Sequence, residues 1–163
     1  MDANDLHVLL QPLRKEHLLL AAQMAASTSS RSANDLLKVY ERDSARAEWA
    51  AQVGAFVNDE LIGFARVVWV KFEVLQPNQA PSGWYLLGVN VQPAHRTRGI
   101  ATLLTTWRID WLANRADLLF YVAIPTNVAS IRLHEKFGFI KAHENVSMPT
   151  NLAGLTLFSR GIA

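Results

Sequence analysis

Val89-Asn90-Val91-Gln92-Pro93-Ala94-His95-Arg96-Thr97-Arg98-Gly99-Ile100-Ala101 is the stretch from which this chain is best read. It begins as a β-branched strand, breaks at proline and enters a helix. In that helix Ile100, Leu103, Leu104, Trp107, Trp111 and Leu112 recur at the three-and-four spacing of one buried face. A strand that runs through a short loop into a helix start favours an anion. The first helical amides have no partners inside the helix, and the aligned peptide dipoles leave positive potential there. Gly99 permits close approach, Arg96 and Arg98 add fixed positive charge, and Ala101 is too small to block the amides. Taken alone, the pattern fits a solvated basic loop before a core helix at least as well. Neither a glycine-lysine-serine or glycine-lysine-threonine triplet nor a Gly-x-Gly-x-x-Gly run occurs, so a phosphate here would be held by backbone.

Working outward, residues 118–124 form a continuous apolar run of the length of a strand buried on both faces. It is expected to lie parallel to the strand 84–91, with the helix between them as the crossover. Pro125-Thr126-Asn127 then opens another helix, with Ala129, Leu133 and Phe137 along one side and Gly138 at its end. Residues 139–146 and 155–158 read as two closing strands. Upstream, residues 6–13 read as a first strand, followed by a helix with Leu18, Leu19, Ala22 and Ala26 on one side and a less regular helix over 33–49. Residues 51–57 and 61–70 are extended and joined by Asn58-Asp59-Glu60, which has hairpin chemistry. A loop at 76–83 precedes the strand 84–91, where Gly88 marks a bulge or close backbone approach. Antiparallel strands come first and a strand-helix-strand-helix unit follows. The expectation is one α/β (α+β) domain over 1–163, with a mixed, mostly antiparallel sheet of about seven strands and helices on both faces.

Composition bounds the function. In 163 residues, 50% are hydrophobic and 18% charged, which is the balance of a chain with a packed core. The absence of cysteine excludes disulfides and thiolate nucleophiles and suits a cytoplasmic location. Acids near the N-terminus and the lack of a long apolar run argue against export or a membrane. The net charge of +2, with basic and acidic residues interspersed outside His95 to Arg98, argues against a nucleic-acid partner. No pair of histidines has a spacing such as His-Glu-x-x-His, so no metal is expected.

Arg96-Thr97-Arg98-Gly99-Ile100-Ala101 resembles the best-known motif of the GNAT acetyltransferase superfamily, Arg or Gln, two residues, Gly, one residue, then Gly or Ala. The stretch from Asn127 to Phe139, with its Glu135-Lys136-Phe137-Gly138-Phe139 ending, is similar to the family's next motif. The resemblance covers residues 57–139, while the first fifty match only in element order. It implies acetyl-CoA as cosubstrate and a primary amine, such as that of a small molecule, as acceptor. It further implies that the backbones of Val89 and Val91 pair with pantetheine, and that Arg96, Thr97, Arg98, Gly99, Ile100 and Ala101 hold the pyrophosphate. Asn127 and Ser130 would contact pantetheine or nearby phosphate.

Acetyl transfer to an amine requires a neutral amine, a stabilised oxyanion and a proton for the departing thiolate. A lysine-like amine has a pKa of about 10, so a base or a water chain must deprotonate it. Relatives carry a glutamate in the strand before the phosphate loop, but the strand 84–91 contains no acid, which leaves Glu73, Tyr85 or water. For the oxyanion, the resemblance implies a backbone amide near Val91. Relatives place a tyrosine seven residues after the asparagine of the second motif, and here that position is His134. Asn127, Ser130 and His134 can share one helical face, so His134 is the candidate acid, with an ordinary packed histidine as the alternative. Aminoglycoside-type antibiotics, polyamines, amino acids and protein N-termini all remain open as acceptors. Asp43, Glu48, Asp59, Glu60 and Glu73 are available to an acidic cleft. A non-catalytic acyl-CoA-binding module also stays open, because both the tyrosine and the glutamate are missing. The strand 155–158 is expected to serve as a sheet edge in a homodimer.

Overall fold

Asn58 and Asp59 both adopt left-handed backbone, with φ of 48° and 64°, which is the twist a two-residue hairpin turn needs. The turn joins β2 (Ala50–Val57) to β3 (Glu60–Val70) in antiparallel register. The computed structural model describes residues 6–72, 77–149 and 152–162. In chain order the remaining elements are β1 (Leu9–Pro12), α1 (Leu18–Ala26), α2 (Ala33–Ser44), β4 (Gly83–Val91), α3 (Ile100–Leu112), β5 (Leu118–Ala123), α4 (Val128–Lys136), β6 (Ile140–Val146) and β7 (Leu155–Gly161). The seven strands hydrogen-bond in the order β1-β2-β3-β4-β5-β7-β6. The β4–β5 pair is parallel, as expected, and β1–β2, β2–β3, β5–β7 and β6–β7 are antiparallel. No helix among the described residues is long and apolar enough to cross a membrane.

The chain divides into two compact units, Met1–Val68 with Gly88–Trp111 and Trp69–Leu87 with Leu112–Ala163. In the first, consecutive residues of β2 point to opposite faces, and each face carries a core. Phe56, Leu61 and Phe64 pack with Leu18, Ala22, Leu36 and Tyr40 of α1 and α2, whereas Val53, Ala55, Ile62 and Ala65 pack with Ile100 and Leu104 of α3. Helix α2 starts on a serine cap, with Ser32 accepting from the Asp35 amide, and ends at Ser44, short of the expected 49. The buried arc of α3 also differs from expectation. Ile100, Leu104, Thr105, Arg108 and Leu112 are buried, while Leu103 is exposed. At 3.6 residues per turn the arc centres on Leu104 and Arg108, and Leu103 falls outside it. Arg108 survives burial because its guanidinium donates to Thr105 Oγ1 at 2.8 Å and to the Arg66 carbonyl at 3.3 Å.

In the second unit Tyr85 and Phe120 stack at 5.2 Å, within a core that includes Leu155, Leu157 and Val146. Strand β7 inserts between β5 and β6 and is paired on both sides. Its expected role as a free dimer edge therefore fails, because its backbone groups are already committed within the sheet; the edge strands are β1 and β6. Along α4 the expected stripe is only partly buried, with Ala129 exposed and Leu133 and Phe137 half-buried, and the fully buried residue is His134.

Candidate active site

In the first unit β4 ends at Val91, and Gln92 pins that end by donating its amide to the Ile62 carbonyl and its Nε2 to the Leu61 carbonyl, each at 2.8 Å. Gly63 allows this close approach, since a Cβ there would stand 3.0 Å from the Asn90 carbonyl oxygen. Proline 93 opens a single tight turn, Arg96 is extended, and Thr97 and Gly99 both adopt left-handed backbone, with φ of 62° and 81°. A β-branched residue in that conformation is strained by about 1–3 kcal/mol, and such strain concentrates where a loop must hold a set shape. The first bond of α3 runs from the Leu103 amide to the Gly99 carbonyl at 3.1 Å. The amides of residues 97–102 donate to no other group among the described residues. A run of such amides at a helix start can receive an anion, and a diphosphate has the acceptors that would pair with it. The Arg96 Nε donates to the Val91 carbonyl at 3.0 Å, which ties the loop to the strand and leaves the outer guanidinium nitrogens exposed.

Val89 and Val91 turn their side chains into the core containing Ile62 and Leu104, so only their backbone is left to serve a ligand. In the second unit β4 and β5 share the registered pairs Trp84 with Leu119 and Tyr85 with Phe120. Leu86 and Leu87 have no registered partner in Tyr121 and Val122, so the parallel strands part there. Gly88, expected from sequence to mark a bulge or a close backbone approach, follows with left-handed backbone, φ 56°. A cavity of about 640 Å³ bordered by Trp69, Gly83, Trp84, Asp117 and Phe120 opens at the starts of β4 and β5. Ligands of open α/β sheets bind at the opposite, carboxyl ends of parallel strands, so the fork fits the chemistry better than this cavity does.

Asn127 caps α4, its side chain accepting from the Ser130 amide at 3.4 Å. The Ser130 hydroxyl lies 2.5 Å from the Tyr121 hydroxyl. His134 is buried, stacks on the Tyr121 ring at 3.6 Å and 6°, and places Nδ1 2.8 Å from the Ser130 carbonyl oxygen. A carbonyl only accepts, so Nδ1 carries the proton. Val89, Val91, Arg96, Thr97, Arg98, Gly99, Ile100 and Ala101 thus fall in the first unit, and Asn127, Ser130 and His134 in the second. Tyr121 has no motif to mark it, because it sits in a run read as uniformly apolar.

Of the candidate bases, Tyr85 loses its standing and Glu73 is untested. Tyr85 is fully buried and donates its hydroxyl to the Pro81 carbonyl at 2.6 Å, and burial raises its pKa well above that of an ordinary tyrosine. Glu73 lies outside the described residues. Asp43 is likewise removed from any acidic cleft, since its buried carboxylate pairs with Arg66 and Arg42.

The sequence pattern of the acetyltransferase (GNAT) family matches residues 17–139. Among solved structures, the chain is similar to a Salmonella typhimurium protein bound to its cofactor acetyl-CoA, at 18% identity and a TM-score of 0.73, covering 96% of this chain and 94% of that one. It is similar to the ribosomal-protein-S18-alanine N-acetyltransferase of Escherichia coli, at 18% identity and a TM-score of 0.71, with coverage of 96% and 94%. It is also similar to an aminoglycoside 6'-N-acetyltransferase of Acinetobacter haemolyticus, at 23% identity and a TM-score of 0.70, with coverage of 85% and 95%. At these identities the likeness establishes the fold. A search of curated proteins returns no match.

Proposed function

The chain belongs to the acetyltransferase (GNAT) family and is an acetyl-CoA-dependent N-acetyltransferase; from that premise we propose that its acceptor is the primary amine of a small molecule. The cofactor half of this reading is carried by the row of unpaired amides over residues 97–102, which matches the diphosphate of acetyl-CoA in charge and in hydrogen-bond sense. Arg96, Thr97, Arg98, Gly99, Ile100 and Ala101 hold that diphosphate, and the backbones of Val89 and Val91 pair with the pantetheine amides. Asn127 and Ser130 supply the α4 contacts, and the thiolate regains its proton at the α4 cluster in which His134 packs beside Ser130. The neutral amine attacks the thioester carbonyl directly, and a backbone amide of the bulged strand near Val91 receives the developing oxyanion. Because Tyr85 is buried with its hydroxyl committed to the Pro81 carbonyl and β4 carries no acid, the amine loses its proton through ordered water or to Glu73. The family match runs through both compact units, which supports one domain, and the cysteine-free composition supports a cytoplasmic setting.

A thiol-release assay with acetyl-CoA against aminoglycosides, polyamines, amino acids and N-terminal peptides tests the acceptor class. Turnover with a small amine and none with peptides is expected; turnover confined to peptides overturns the small-molecule assignment. Calorimetry with coenzyme A tests the role of the amide row separately, and the absence of binding would overturn it.

A further inference from the structure

Tyr121 is the first residue of β5 beyond the last registered pair with β4, so it stands where the parallel strands part. Its ring is held between elements: His134 stacks on it, Phe139 meets it edge-on at 6.2 Å, and Phe158 of β7 lies 5.6 Å away. Its hydroxyl reaches Ser130 Oγ, and of Tyr121, Ser130 and His134 only Ser130 is more than marginally exposed. The buried pair is thus arranged behind a hydroxyl that a ligand can reach. His134 spends its Nδ1 proton on the Ser130 carbonyl, so its neutral form has no second N–H to give.

Resting on the acetyltransferase reading above, we propose that Ser130, backed by Tyr121, delivers the proton to the departing thiolate, and that His134 is the positioning residue that holds this hydroxyl pair. When the thioester C–S bond breaks, its electron pair goes to sulfur. Ser130 gives its hydroxyl proton to that sulfur and receives the Tyr121 proton in the same movement. Tyr121 then regains a proton from water, balancing the one released by the acylated nitrogen. A hydroxyl pair of this kind stays protonated up to about pH 10, whereas an imidazolium donor is lost above about pH 6.5. Ser130, His134, Phe139 and Phe158 pack on Tyr121, and His134 is the ionisable group among these four.

The test uses the full chain, acetyl-CoA and the best amine of the panel, with kcat and KM measured from pH 6 to 9.5. Tyr121→Phe, which keeps the ring stack, and Ser130→Ala are each expected to lower kcat about 10²-fold while the acetyl-CoA KM changes less than about threefold. Ser130→Thr is expected to recover most of the loss. His134→Phe preserves a flat ring against Tyr121 and should cost no more than about fivefold, with the alkaline limb unmoved. Tyr121→Phe turnover within twofold of the native chain overturns the proposal. So does an alkaline limb near pH 6.5 that disappears in His134→Phe. Coenzyme A binding by the native chain with either of these results defeats this inference alone, whereas loss of binding and turnover in the native chain defeats the parent reading with it.

Discussion

The Arg66 guanidinium reaches the fully buried Asp43 carboxylate while lying 4.8 Å over the Tyr40 ring. Helix α2 and strand β3 are therefore joined by one charge pair inside the first unit, with Arg42 adding a second contact at the rim. Removing one member strands the other without water. Asp43→Ala is expected to cost about 3–5 kcal/mol, and Asp43→Ala with Arg66→Met less than the single change. Denaturant midpoints for both variants check this, and a double variant weaker than the single one would contradict it.

Gly99→Val should weaken coenzyme A binding roughly 10- to 100-fold. The substitution puts a β-branched side chain at φ of 81° and beside the unpaired amides. Calorimetry reads the affinity, and thermal unfolding separates it from a folding defect.

Arg96→Leu removes the tie to the Val91 carbonyl together with an exposed charge beside the amide row. An increase of about tenfold in the acetyl-CoA KM, with kcat nearly unchanged, is expected. A fall in kcat at constant KM would count against a binding role.

Gly63→Val should loosen the strand that leads into the phosphate loop, because its Cβ would press on the Asn90 carbonyl oxygen at 3.0 Å. A loss of about 1–3 kcal/mol is expected, measured by chemical unfolding.

Burial raises the pKa of both Tyr85 and Tyr40, in Tyr40 against an opposing pull from Arg66. Unfolded tyrosines release their protons from about pH 10, while the folded chain still holds them. Stability is therefore fully present below pH 10 and falls as pH rises above it. Melting temperatures from pH 8 to 11 should show this decline, and Tyr85→Phe should make it shallower.

Much of this was legible along the chain. Asn58-Asp59 set a hairpin, Pro93 and Gly99 framed the loop before α3, and the run 118–124 announced a buried strand, because turn chemistry and periodicity act within about ten residues. The candidate cofactor residues from Val89 to Ala101 came instead from the family resemblance carried by Arg96 to Ala101 and by Asn127 to Phe139. The stripe 129, 133 and 137 was right only in part, because three apolar residues in a short helix do not fix which side is buried, and His134 takes the deepest position.

The order of elements and the loop that leads into α3 could be read from the chain alone, since both follow from local backbone preference. Only tertiary structure decided that β7 slips between β5 and β6, that Arg108 is buried, and that Tyr121, Ser130 and His134 form one cluster. Those outcomes depend on pairing between segments distant along the chain. Their free energy comes from ring stacking, burial and hydrogen bonds formed only after the strands have found their neighbours.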